Sequence, residues 1–441
     1  MDYYPKHVPT SSRDGALLIS GKRIESVAHI FHFRKLLLFL LLLTLYLPID
    51  MTFPNININI HDSVLFVIGL SFVSYILVGK RYHLRVFDKV ILLPVIGFIL
   101  YAVFQLFYVT SRLLVLITVI QLLEIAVLVF VLSDSKFLTL SDRDIYNILR
   151  IFFYFSLTGA IITTIYALIT GLRFEGVWGV WFAFGSLSYG FFYSLYHCIF
   201  AEGKKYYIFP LAIFTMAIIL SLTRGRWISI LLSIFFIFLT HRKASGKRIQ
   251  GRIIGYLAAF FIIFAVTIYT FEIPSRITDR FYSIFYGTQQ RDLRFYGWQA
   301  AMEMFVDHPL GVGLGNYRYH SIDYAHVHEI FEGWSRRITR EKGSRINGPR
   351  MEAHGDWFLI LAEAGIIGVV LYAIFWFRIM KHIVFRRFQN IYTLITATFL
   401  VSIFANAVIN SIFYCGGGGI AIVFIYFIYI RALTMKFETG L

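Results

Sequence analysis

Charge is scarce in this chain. Only 15% of its 441 residues are Asp, Glu, Lys or Arg, against 58% hydrophobic, and the mean hydropathy is +0.70. Soluble domains carry about 25% charged residues, and no water-exposed fold could hide this much apolar side chain, so a soluble globular class is excluded. Cysteine is nearly missing. Cys198 and Cys415 lie in or beside apolar runs, with no partners for a disulfide framework, a zinc site or a Cys-x-x-Cys pair. Strand-like alternation is lacking too. Apolar runs of roughly 18 residues or more recur from end to end, the length of a membrane-crossing helix, whereas β-barrel strands alternate over about ten residues. Acidic residues are the minority, 25 against 41 basic, giving a net charge of +16. The surplus invites a nucleic-acid partner, but the basic residues are scattered through short loops between apolar runs, where they act as a topology signal. No nucleic-acid binding is expected.

What remains is a chain of helices. The expected fold is an all-α polytopic membrane protein with about 12 spans, at 36–49, 63–79, 90–110, 113–132, 151–170, 177–200, 206–222, 227–240, 253–271, 357–377, 391–412 and 417–434. Its parts are a cytoplasmic tail (1–35), spans one to nine (36–271), a large exported loop (272–356), spans ten to twelve (357–434) and a cytoplasmic end (435–441). The polar tail ahead of Arg34-Lys35 reads as cytoplasmic, and the first span as an uncleaved signal anchor. Counting sets the orientation. The sides assigned to the cytoplasm hold 26 of the 41 Lys/Arg, and the short outer loops only Arg112, Arg173, Arg224 and Arg226, so both termini face inward. The other 11 lie in 272–356 beside 11 acidic residues, and long loops export largely regardless of charge. Within that loop Trp298, Met302, Phe305 and Val306 share one helical face, and Pro309 stops the helix.

Several residues on the expected exported side stand where charge is costly. Arg224, in Leu222-Thr223-Arg224-Gly225-Arg226, occupies a turn too short to leave the interface. A guanidinium there stays ionised and offers a fork of donors suited to phosphate oxygens, although a snorkelling interfacial arginine would look the same. Arg226, beside Trp227, reads more as such an anchor. Arg291 and Arg294 are one turn apart ahead of Trp298 and could hold one anion from the same face; alternatively they are solvated loop arginines paired with Asp292. His354 precedes the tenth span by three residues and can accept a hydroxyl proton near neutral pH. Asp356 is a rival base but reads better as a helix N-cap. Glu363, in the apolar run Leu359-Ile360-Leu361-Ala362-Glu363-Ala364-Gly365, needs a partner, for which an exported-side arginine is the expectation. Gly365 and Gly368 read as close-packing positions. Gly311-Val312-Gly313-Leu314-Gly315 looks like a nucleotide-binding loop but follows Pro309 rather than a strand, and reads as a turn. His320, His326, His328 and Glu329 include a His-x-His pair, but the spacing is loose and no metal is expected.

Three stretches together resemble the O-antigen ligase and polymerase superfamily of bacterial surface-polysaccharide enzymes. They are Ser221-Leu222-Thr223-Arg224-Gly225; Arg294-Phe295-Tyr296-Gly297-Trp298 continuing through His308-Pro309-Leu310-Gly311-Val312-Gly313-Leu314-Gly315-Asn316-Tyr317; and His354 through Leu361-Ala362-Glu363-Ala364-Gly365-Ile366-Ile367-Gly368. The resemblance is strongest from about 205 to 375. It implies a GT-C-like, metal-independent, inverting glycosyltransferase of the bacterial inner membrane, without cofactor, whose active site faces the periplasm or exterior. Its donor would be a glycan on undecaprenyl pyrophosphate, and its acceptor a sugar hydroxyl on lipid A-core or on another lipid-linked repeat. By that resemblance Arg224 and Arg294 match pyrophosphate-binding arginines and His354 the histidine needed for transfer; Arg226, Arg291, Trp298 and Glu363 complete the expected substrate-binding set. Gly355 stands where family members usually carry Asn or Ser, and 318–353 is long. Two other functions share some of these features. A lipid-linked oligosaccharide flippase or exporter would spread charge through many spans and both sides, whereas here it gathers on one. A glycan-binding scaffold would not need His354.

Overall fold

In lipid, a long apolar segment can satisfy its own amides only by forming a helix, and helices dominate the structure. This computed structural model describes residues 36–38, 40–41, 50–53, 56–77, 86–133, 140–170, 186–200, 205–221, 224–241, 255, 293–324, 353, 355–385, 390–408 and 418–434. One antiparallel hairpin departs from the all-α expectation. In it β1 (Asp50–Phe53) pairs with β2 (Ile56–Asn59), from Asp50 opposite Asn59 to Phe53 opposite Ile56. The Ile-Asn alternation of β2 has the two-residue period of a strand with unlike faces. The main helices are α1 (Ile60–Leu77), α2 (Val86–Gln105), α3 (Arg112–Ser133), α4 (Asp142–Thr170), α5 (Leu187–Phe200), α6 (Ile208–Leu220), α7 (Arg224–His241), α8 (Leu293–Asp307), α9 (Tyr317–Tyr324), α10 (Asp356–Phe385), α11 (Ile391–Ala407) and α12 (Gly418–Thr434). By length and composition Arg112–Ser133, Asp142–Ile169 and Asp356–Phe385 can cross a membrane, with six shorter apolar helices beside them. Of the expected span 36–49 only 36–38 and 40–41 are described, and of 253–271 only residue 255.

Burial sorts the helices into layers. Every residue of α11 from Ile391 to Ile403 is buried, which suits a helix without charge and apolar all round. Its hydroxyls bond back to their own helix, Thr396 to the Tyr392 carbonyl at 2.8 Å and Thr398 to that of Leu394 at 2.7 Å, so burying them costs little. Asn390 caps the start of α11, accepting from Thr393 N at 2.9 Å, and its amide donates to the Ala432 carbonyl at 2.7 Å, joining the start of α11 to the end of α12. On the periphery, Leu93, Leu100 and Phe104 of α2 and Leu113, Leu116 and Ile120 of α3 are exposed apolar rows.

The expected tenth span, 357–377, requires the main correction, because α10 is not one rod. Gly365 takes φ 57° and ψ −156°, and the helix breaks there. The Tyr372 hydroxyl donates to Asp356 Oδ2 at 2.8 Å, and the Trp357 and Tyr372 rings lie 4.9 Å apart. On a straight helix positions 356 and 372 would be separated by about 24 Å along the axis. The limb 356–364 therefore folds back along 366–385. Gly368 lines the inside of the fold, where a Cβ would run into the Ala364 methyl and sit 3.1 Å from Ile360 Cγ2. The second limb, about 30 Å long, is the part able to cross a bilayer.

α8 brings a second correction. Its buried face is Ala300, Ala301 and Met304, clustered with Ala353, Ala362 and Tyr317. Met302 and Val306, on the face that the sequence pattern singled out, are 45% and 70% exposed. Small alanines let α8 approach α10 closely, so the bulkier face is the one left outside.

Candidate functional site

The run from His308 to Asn316 is clamped into the fold of α10. Val312 N donates to the Ala362 carbonyl at 2.9 Å, Gly313 N to that of Glu363 at 2.9 Å, and Ile366 N to that of Pro309 at 3.1 Å. The break at Gly365 frees these groups from the helix, and the glycine-rich turn takes them up. Gly311 has φ 81°, and a Cβ there would strike the Glu363 carbonyl, so the turn reading holds for a physical reason: only glycine fits against the broken helix. From the other side Gln105, the last residue of α2, donates through Nε2 to the Glu363 carbonyl at 2.8 Å and accepts from Leu314 N at 3.0 Å. Tyr101 and Tyr108 both donate to the Leu310 carbonyl. Sequence reasoning passed over Gln105, although a lone amide in an apolar run was the available signal.

Glu363 is buried, and one carboxylate oxygen accepts from Tyr317 N at 3.0 Å, at the start of α9. A carboxylate at a helix N-terminus satisfies an orphan amide and complements the dipole. That oxygen thus has a backbone amide as a partner, while the side chains of Arg224, Arg291 and Arg294 lie outside the described residues. The Tyr317 hydroxyl donates to the Gly297 carbonyl at 2.8 Å. Burial, with the Glu363 charge adding to it, pushes that phenol up from its ordinary value, so it remains a neutral donor.

Residue 355 sits at a junction. A Cβ on Gly355 would lie 2.8 Å from the Val408 carbonyl, just past α11, and 3.5 Å from Trp298 Nε1. Trp298 stacks on Phe358 with centroids 4.9 Å apart and planes at 15°. Asp356 is fully buried and held by Tyr372, as a positioned corner residue rather than an exposed base. Tyr372 escaped the sequence reading because no helical periodicity links positions 356 and 372; only the fold at Gly365 does. Tyr372→Phe keeps the ring contacts to Trp357 and Trp376 but takes one hydrogen bond from a buried carboxylate. The expected cost is about 1–3 kcal/mol, seen as a lowered unfolding midpoint in detergent; an unchanged midpoint would mean that the bond contributes nothing.

Helix directions bring the start of α7 to the same end of the bundle. α5 and α11 run antiparallel, with His197 near Tyr392 and Tyr189 near Phe399. α5 and α6 do so too, through His197 with Tyr207 and Gly190 with Phe214. α6 therefore ends where α11 ends, and α7 begins there with Arg224; Trp227 Nε1 donates to the Ile218 carbonyl at 2.9 Å. Ser402 of α11 and Ser229 of α7 are 3.4 Å apart, about the same helical distance below Val408 and Arg224. The N-terminal turns of α7, α8 and α10 thus all lie at the end marked by Gly355, Trp298 and Val408. Helix N-termini carry positive partial charge and favour anions.

Of the expected site residues, Trp298, Arg226 and Glu363 are described in full. Arg226 is 2% exposed, which does not suit a snorkelling anchor. Arg224 opens α7 and Arg294 lies in the first turn of α8, where only their backbone is described. Arg291 and His354 lie outside the described residues, as do His326, His328 and Glu329 of the histidine-rich stretch. Among the described residues no group of three or more His, Cys, Asp or Glu could hold a metal ion.

The described chain is thus a helical membrane protein whose motif-bearing segments meet at one end of the bundle around a broken helix. Residues 209–373 match the family model described as O-antigen ligase. The matched region holds α6 to α9, the glycine-rich turn and the fold of α10, and it supports membership of the O-antigen ligase/polymerase superfamily. No curated protein matches the chain. That family implies a glycosyltransferase-like membrane enzyme of surface-glycan biosynthesis with lipid-linked glycan substrates.

Proposed function

We propose that the protein transfers a glycan from an undecaprenyl-pyrophosphate carrier to a sugar hydroxyl, on the outer face of the bacterial inner membrane, within a bundle of about 12 spans. The acceptor oxygen attacks the anomeric carbon from the face opposite the pyrophosphate and inverts that centre. The bond between sugar and phosphate oxygen breaks as the new glycosidic bond forms. The hydroxyl proton passes to His354, and undecaprenyl pyrophosphate departs carrying the electron pair. Arg224 and Arg294, together with Arg226 and Arg291, hold the charge growing on the leaving group; each such contact contributes about 10²–10³-fold. A positioned base adds about 10²–10⁴-fold. Trp298 lines the sugar-binding side, and Glu363 keeps the glycine-rich turn and α9 in place.

The carrying observation is the gathering of three helix N-termini at the end marked by Gly355, within the segment that matches the ligase family. The broken helix does not favour a transporter. Transporters turn the freed carbonyls of such a helix toward a cavity, whereas those of Ala362 and Glu363 are taken by Val312, Gly313 and Gln105. The purified protein, incubated with a lipid-pyrophosphate glycan with and without lipid A-core, tests the proposal: a ladder of products marks a polymerase and a single shift of the acceptor a ligase. Unconsumed donor in both incubations would refute it. Full activity is expected in excess chelator, because guanidinium groups replace the divalent cation; a metal requirement would overturn the mechanism.

A further inference from the structure

We infer that α8 and the turn after it lie on the membrane rather than in water, with Met302, Val306 and Leu310 reaching the acyl chains of the bilayer. α8 is apolar on two opposite sides. Ala300, Ala301 and Met304 face the protein, while Met302 and Val306, one turn apart, are 45% and 70% exposed and Leu310 is 46% exposed. A helix apolar on both its inner and outer faces needs a second non-aqueous neighbour. Between those two sides Gln299 donates to Glu303 at 2.8 Å, and the exposed Asp307 closes the helix.

The outer face also joins exposed apolar rows on α10 and at the end of α2. On one side Ile366 N donates to the Pro309 carbonyl, and Ile366 and Val370 on the crossing limb of α10 are 50% and 49% exposed. On the other, Tyr101 and Tyr108 hold the Leu310 carbonyl, beside Phe104 and Phe107 at 51% and 79% exposure. Tyrosines are enriched at membrane interfaces, apolar ring inward and hydroxyl at the polar boundary. A patch that continues from one exposed apolar row to another has the membrane as its occupant. Building on the transferase proposal, this places the first turn of α8, with Arg294, at headgroup level, so a lipid-linked pyrophosphate reaches it without leaving the bilayer.

The test uses the full-length protein carrying Cys198→Ser and Cys415→Ser, reconstituted in phosphatidylcholine vesicles. A nitroxide is placed at Val306→Cys and, separately, at Met302→Cys. Collision with oxygen is expected to exceed collision with a water-soluble nickel chelate, as at Val370→Cys, and the ratio should be several-fold higher than at the exposed loop position Ser141→Cys. Nickel-dominated relaxation at both α8 positions would overturn the inference. The readout is location, so that failure would leave the transferase proposal standing, and an absence of transfer would leave the location result intact.

Discussion

Gly365→Ala is expected to abolish the folded, active protein. Gly365 sits at φ 57° and ψ −156°, in territory open essentially to glycine alone. A methyl there strikes the Pro309 carbonyl oxygen and lies 2.7 Å from the Leu310 carbonyl carbon and 2.8 Å from Gly311 N. These are backbone atoms fixed by three interlocking hydrogen bonds, so none can swing aside. Backbone strain alone costs about 1–3 kcal/mol, and each buried partner left without its bond adds about 1–3 kcal/mol. Together they approach the whole stability of a typical domain, about 5–15 kcal/mol. The measurement is the yield and unfolding midpoint of detergent-purified protein. Gly69→Ala is the control, since its nearest neighbour is a single movable side-chain methyl of Val127 at 3.2 Å. A Gly365→Ala protein as stable as that control would show that α10 does not fold back here.

Three other substitutions should remove transfer while leaving the protein folded. His354→Ala is expected to lower kcat by about 10²–10⁴-fold by removing the proton acceptor. Arg224→Ala and Arg294→Ala should each cost about 10²–10³-fold, because charge on the departing pyrophosphate would lose a fixed counter-charge. Each variant should insert and purify like the wild type. In Arg224→Lys the charge survives but the planar fork is lost, so only partial rescue is expected. Normal product from His354→Ala would overturn the assignment of His354 as the proton acceptor.

The helical membrane class and the turn after Pro309 were legible because each rests on local signals: apolar run length and closely spaced glycines. Helix ends were less so. α2 ends at Gln105, where the expected span ran on to 110, since composition does not separate an apolar helix from the apolar turn that follows it. The fold at Gly365 was hidden for a different reason. Its causes are non-local: the Tyr372 bond to Asp356 and the turn 309–313 are far from Gly365 in sequence, while the local run reads as one uninterrupted apolar helix. The outward face of α8 was missed because bulky apolar residues ordinarily mark a core, and in lipid they need not.

The most direct test of the account is whether positions 224 and 354 meet. In protein lacking Cys198 and Cys415, the pair Arg224→Cys with His354→Cys should be joined rapidly by a short bis-maleimide, and blocked by a membrane-impermeant maleimide added from the outer face. A pair that resists cross-linking, or that is blocked only from the cytoplasmic face, would contradict a single outward-facing site built from these residues.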